Sequence, residues 1–157
     1  MKVALWVIGK TNEAYLREGI GIYQKRLSHY LRFELEVLPE SKGGKSRTPE
    51  QLKQQEGDLI LKKLAPQDFL ILLDERGKGY DSVAFAQYLE RLLVQSPRRI
   101  VFVVGGAYGF SPAVYERANA RIRLSQLTFS HQMVRLFFVE QLYRAMTILR
   151  GEPYHNA

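Results

Sequence analysis

Residues 100–112 read Ile-Val-Phe-Val-Val-Gly-Gly-Ala-Tyr-Gly-Phe-Ser-Pro. Five apolar residues without alternation describe a strand covered on both faces, the pattern of a parallel sheet flanked by helices. The glycines permit positive φ and close approach of a ligand to the backbone, and Ser111-Pro112 is a helix start. In open α/β sheets the carboxyl end of a buried strand is where ligands bind. The stretch does not match G-x-G-x-x-G, so it gives poor support for a dinucleotide site. A tight turn without a ligand is the plain alternative.

Further strands are expected over residues 3–8, 33–38, 69–73 and, more weakly, 122–128, each separated from the next by a segment with helical spacing. Around residues 13–27, Leu16, Ile20, Tyr23 and Leu27 share a stripe. Thr48, Pro49 and Gln51 form a capping box ahead of Leu52, Leu59 and Ile60. Asp81 or Ser82 caps a third helix carrying Phe85, Leu89, Leu92 and Leu93. The last helix, about residues 131–150, is apolar around most of its circumference: Val134, Phe137, Phe138 and Leu142 mark one side, Leu136, Val139 and Tyr143 another. One thin sheet cannot cover all those sides, so a second subunit is expected against it. Alternating βα units without a linker imply one α/β domain over residues 1–157 with a largely parallel sheet.

Cysteine is absent, which removes thiolate nucleophiles, cysteine zinc sites and iron–sulfur chemistry. No apolar run approaches the ~20 residues of a spanning helix and residues 3–8 are too short for a secretory signal, so a cytoplasmic protein without membrane contact is expected. The formal charge of +7, from 23 Lys and Arg against 16 Asp and Glu, favours polyanions, with nucleic acid the leading partner.

Residues 40–46, Glu-Ser-Lys-Gly-Gly-Lys-Ser, approach a phosphate-binding loop, but Pro39 stands where G-x-x-x-x-G-K-[ST] needs glycine. A basic loop of Lys42, Lys45 and Arg47 touching RNA phosphates is the better reading, against a merely solvated loop. Of the three histidines, His29 ends a helix and complements its dipole, whereas His131 and His155 are candidates for acid–base or hydrogen-bonding work. No pair has metal-ligand spacing, so no metal is expected.

The ordered set Leu73-Asp74 with Gly77, Gly105-Gly106 with Gly109 and Ser111-Pro112, Leu124-Ser125-Gln126-Leu127-Thr128-Phe129, His131, Val134-Arg135, residues 140–145 as Glu-Gln-Leu-Tyr-Arg-Ala, and Pro153-Tyr154-His155 resembles the RlmH-type family over essentially the whole chain. That family comprises SPOUT-class pseudouridine N3-methyltransferases of large-subunit (23S) ribosomal RNA. The resemblance implies a homodimer with a carboxyl-terminal trefoil knot, which periodicity would never propose because knotted chains are rare. It also implies S-adenosylmethionine as methyl donor, held by Leu73, Gly105 and the run Leu124, Ser125, Gln126, Leu127, Thr128 and Phe129. Tyr154 and His155 are expected to be catalytic, followed by Arg144 and His131, with Arg135 or Arg144 able to hold a phosphate or a developing imide anion. Packing plus a Glu140–Arg144 ion pair is the plain alternative for Arg144. The family commonly has Arg after Tyr-His, where Asn156 stands here. A SPOUT enzyme for another RNA, or a non-catalytic ribosome-binding factor, are the competing readings.

Overall fold

The computed structural model describes residues 2–40, 46–95 and 97–156. Lys42 and Lys45 of the expected basic loop lie outside them. In chain order the elements are β1 (Lys2–Ile8), α1 (Ala14–Leu27), β2 (Arg32–Leu38), α2 (Pro49–Lys63), β3 (Asp68–Gly79), α3 (Ser82–Gln95), β4 (Arg99–Val104), α4 (Pro112–Arg117), β5 (Ala120–Arg123) and α5 (Met133–Leu149). The strands form one sheet in the order β2-β1-β4-β3-β5, and every pairing is parallel.

Because successive strand side chains point to opposite faces, each buried strand feeds two cores. Val3, Leu5 and Val7 of β1 and Ile100, Phe102 and Val104 of β4 pack beneath α1, α3 and α5. Ala4, Trp6, Val101 and Val103 face α2 and α4. Continuous apolar runs therefore read correctly as strands covered on both sides.

Local chemistry sets the helix starts. Thr48 Oγ1 accepts from the Gln51 N–H at 3.1 Å while Gln51 Oε1 accepts from the Thr48 N–H at 2.9 Å, the reciprocal capping box. Asp81, not Ser82, caps α3, accepting from the Ala84 N–H at 2.7 Å; the Ser82 hydroxyl donates to Gln141 instead.

Three expected boundaries differ. β3 runs past Leu73 to Gly79 through a bulge, re-pairing Lys78 with Ile122 and Gly79 with Arg123. Gly77 makes this possible, since a Cβ there would lie 2.6 Å from the Arg121 and Ile122 backbone. β5 ends at Arg123, and the apolar residues expected to continue it to 128 line a cleft instead. Ser130 delays α5 to Met133 by taking the Met133 N–H on its hydroxyl at 3.0 Å, leaving His131 in the preceding turn.

Candidate active site

At the carboxyl ends of β3, β4 and β5 a cleft of about 490 Å³ opens, within the ~300–1,000 Å³ usual for small-molecule sites. Its lining comes from the bulge of β3, the glycine-rich β4–α4 connection, and the segment linking β5 to α5. Leu73, Leu124, Leu127, Phe129 and Val134 form apolar wall, and Gly105, Ser125, Thr128 and His131 complete the places chosen from sequence. Gln126 is exposed and not part of the lining. A groove of about 340 Å³ adjoins it, sharing Arg123, Leu124, Ser125 and Phe129 and reaching Phe137 on α5.

The β4–α4 connection is tightly constrained. Gly109 has φ +85°, and a Cβ on Gly106 would lie 2.6 Å from the Glu56 carboxylate. Burial pushes that carboxyl above the ordinary range, and the facing Glu40 adds to the shift while the Gly106 N–H opposes it. Asp74 and Arg123 also line the cleft. Asp74 Oδ2 and Arg123 Nε are buried without a hydrogen-bond partner. The Tyr115 phenol is pushed up to about 12, by burial first and then by the facing Asp74 carboxylate. Sequence reasoning quoted Asp74 without a role and missed Arg123 and Tyr115; a carboxylate closing the apolar part of a buried strand was the available signal.

Tyr154, His155 and Arg144 gather elsewhere, on the second half of α5. The Glu140 Oε1 accepts from Arg144 Nη2 at 2.6 Å, from Arg144 Nε at 3.1 Å and from the Tyr154 hydroxyl at 2.9 Å. Arg144 Nη1 stands 3.0 Å from His155 Nδ1. A guanidinium only donates, so Nδ1 is the acceptor and the ring's proton resides on Nε2. Burial, Tyr23 and Glu140 raise the Tyr154 phenol far above its ordinary range, so it stays protonated. The Arg144 guanidinium covers the Tyr154 ring at 4.7 Å, and Tyr143 packs against Tyr23, Tyr30 and Tyr154. Val134 is the α5 residue that lines the cleft, and Arg144 lies ten residues beyond it, roughly 15 Å at 1.5 Å per residue. Within one chain this cluster and the cleft are separate.

Arg135 belongs to neither group. It is 1% exposed and donates to the carbonyls of Ile8 (2.7 Å), Gly9 (2.8 Å) and His131 (3.1 Å) and to the Thr11 hydroxyl (3.0 Å). Its guanidinium is occupied by the fold and is not presented to a phosphate, a correction to the role open to it from sequence. No group of three or more His, Asp or Glu among the described residues could hold a metal, and none of the described helices is long and apolar enough to cross a membrane.

A family model described as "Predicted SPOUT methyltransferase" matches residues 1–155. A Parabacteroides distasonis protein named "Ribosomal RNA large subunit methyltransferase H" is 56% identical over 156 residues, covering 99% of each chain. Proteins of the same name from Bacteroides fragilis and Cytophaga hutchinsonii are each 53% identical over 156 residues, covering 99% of this chain and 99% and 100% of theirs. Matched from end to end by the family model and by relatives above half identity, the chain belongs to the SPOUT methyltransferase family.

Proposed function

We propose that this protein methylates N3 of a pseudouridine in large-subunit (23S) ribosomal RNA, using S-adenosylmethionine, on the assembled ribosome in the cytoplasm. The convergence of three separate loops on one cleft carries the reading. The cleft suits the donor chemically. Leu73, Leu124, Leu127 and Phe129 offer apolar wall for adenine, Gly105 and the backbone of residues 124–129 offer polar edges, and the unpartnered Asp74 and Arg123 atoms match a zwitterionic amino-acid end. When bound, the donor supplies an electrophilic methyl group on a sulfonium.

The rest falls to the chain's own residues. His155, with its Nε2 proton fixed by Arg144, donates a hydrogen bond to a carbonyl of the target base. Arg144 stabilises negative charge as N3 loses its proton, and the protonated Tyr154 holds the tail on Glu140. His131, on the cleft wall, receives or relays that proton. Since the tail cluster and the cleft lie apart within one chain, a homodimer brings one protomer's tail to its partner's cleft. Exposed Tyr15 and Ile22 on α1 and Phe137 on α5 supply apolar surface for that contact. We further read residues 1–157 as one domain whose 124–131 segment threads a trefoil knot, in keeping with its path from the edge strand to α5, which packs between α1 and α3.

Labelled S-adenosylmethionine incubated with intact ribosomes, separated subunits, naked ribosomal RNA and transfer RNA tests this, with the modified nucleotide mapped afterwards. Label on a large-subunit pseudouridine is expected. Label on transfer RNA alone moves the chain to another SPOUT activity, and absence of donor binding leaves a ribosome-binding factor.

A further inference from the structure

The connection between β1 and α1, residues 9–13 as Gly-Lys-Thr-Asn-Glu, has no part in the reaction described above. It is nevertheless held by three side chains. Arg135 donates to Gly9 and Thr11; Gln132 accepts from the Asn12 N–H at 2.8 Å and donates to the Lys10 carbonyl at 3.1 Å; and Arg17 donates to the carbonyls of Thr11 (2.8 Å) and Asn12 (2.7 Å). Gly9 has φ +78°, and a Cβ there would meet the Glu40 side chain at 2.6 Å, so the turn admits no other residue without strain. Lys10, Asn12 and Glu13 are exposed, so this bracing adds little apolar burial.

The braced loop has a definite place. Gln132, which grips Lys10 and Asn12, follows directly on Ser130 and His131, both part of the cleft wall. The Lys10 carbonyl is therefore tied to the residue that directly follows the cleft wall, and its exposed side chain springs from a hydrogen-bonded turn. The Glu40 carboxylate packs against Gly9 and faces the buried Arg135 guanidinium. Among the described residues the Lys10 ammonium has no carboxylate within 4.0 Å.

We propose that Lys10 is a phosphate-binding residue for the substrate RNA, placed by the Arg17–Gln132–Arg135 brace to contact a backbone phosphate beside the nucleotide entering the cleft. This rests on the reading that the substrate is RNA. A lysine is a compact point charge that suits one phosphate oxygen without reading sequence, and fixing its backbone restricts where that phosphate lies. The contact acts on substrate positioning, leaving donor binding to the cleft.

The test is methyl transfer to ribosomes over a range of salt concentrations, paired with calorimetric titration of S-adenosylhomocysteine. It is run on the wild type, Lys10→Ala, Lys10→Arg and Lys62→Glu. Lys62 is an exposed lysine in the last turn of α2, whose neighbour Lys63 meets Arg99 through its carbonyl at the amino end of β4, the end of the sheet away from the cleft. Lys10→Ala is expected to raise KM for ribosomes about tenfold and to lower the log–log salt slope of binding by ~0.7–0.9, one phosphate contact. It should leave kcat within about twofold and S-adenosylhomocysteine affinity unchanged, and Lys10→Arg should recover most of the loss. An unchanged KM and salt slope in Lys10→Ala overturns the proposal, as does an equal loss in Lys62→Glu, which would mean that net charge alone matters. A wild type that binds S-adenosylhomocysteine but transfers nothing to ribosomes overturns the reading of the substrate, and the Lys10 assignment with it.

Discussion

Arg135 and Arg144 stand nine residues apart on α5 and use one kind of side chain in opposite ways. Arg135, 1% exposed, gives its N–H groups to backbone carbonyls of the β1–α1 and β5–α5 connections, and burial lowers its affinity for the proton. The Arg144 side chain keeps 24% of its exposure, and its hydrogen bonds to Glu140 raise that affinity. A buried guanidinium surrounded by carbonyls is committed to architecture, because withdrawing any donor leaves an acceptor unsatisfied. A partly exposed guanidinium facing a carboxylate, an imidazole and a phenol can exchange partners, as recognition and catalysis require. One helix thus braces the cleft with its first turn and holds the carboxyl-terminal tail with its second half.

The largest expected effect lies at the buried end. Arg135→Met leaves the Ile8 and Gly9 carbonyls without their donor and should cost about 3 kcal/mol of unfolding free energy in a urea titration. The loss should exceed that of any substitution at Arg144. A cost below about 1 kcal/mol would erase the distinction between the two arginines.

At the exposed end stability and activity should separate. Arg144→Ala is expected to change stability by less than about 1 kcal/mol, as befits a partly solvated i,i+4 pair. Turnover on ribosomes should fall ~100-fold, about 2.7 kcal/mol of barrier. Donor affinity should hold, since Arg144 does not line the cleft. Arg144→Lys should recover only part of the activity because the two bonds to Glu140 need the planar fork. Full turnover in Arg144→Ala would remove the tail cluster from the reaction.

Neither role could be told from the other in sequence, for a physical reason. Both arginines sit in an apolar helix, and two of the carbonyls that claim Arg135, those of Ile8 at the end of β1 and Gly9 just after it, are more than 120 residues away. Much of the fold was legible, because strands buried on both faces must be continuous apolar runs and because Thr48 with Gln51 caps a helix by local hydrogen bonds alone. Residues 124–128 were misread as strand since apolar side chains facing a cleft look the same in sequence as apolar side chains in a sheet. The bulge of β3 was missed because its pairing to β5 runs through the backbone of Lys78 and Gly79, which carry no hydrophobic signal. For the site, the family resemblance pointed to the cleft loops and the tail. It did not show that they lie at two ends of α5.

Glu56 sharpens the contrast with the smallest expected effect. It is a half-buried charge with neither Arg135's ring of carbonyls nor Arg144's carboxylate, and it faces a second carboxylate, Glu40. With the folded-state pKa raised above the unfolded value, its contribution to stability is fully present below the unfolded value near 4.5 and is lost as pH rises through the folded one. Glu56→Gln keeps an acceptor for the Gly106 N–H and removes the titration. At neutral pH the variant should match or exceed wild-type stability, by less than about 1 kcal/mol because solvent still screens the carboxylate. Below the unfolded carboxylate pKa the two should converge, so unfolding titrations at both ends of that range carry the test. A variant less stable than wild type at neutral pH would mean that the ionised carboxylate holds the glycine loop by charge, placing Glu56 with Arg144 among the groups whose charge is used.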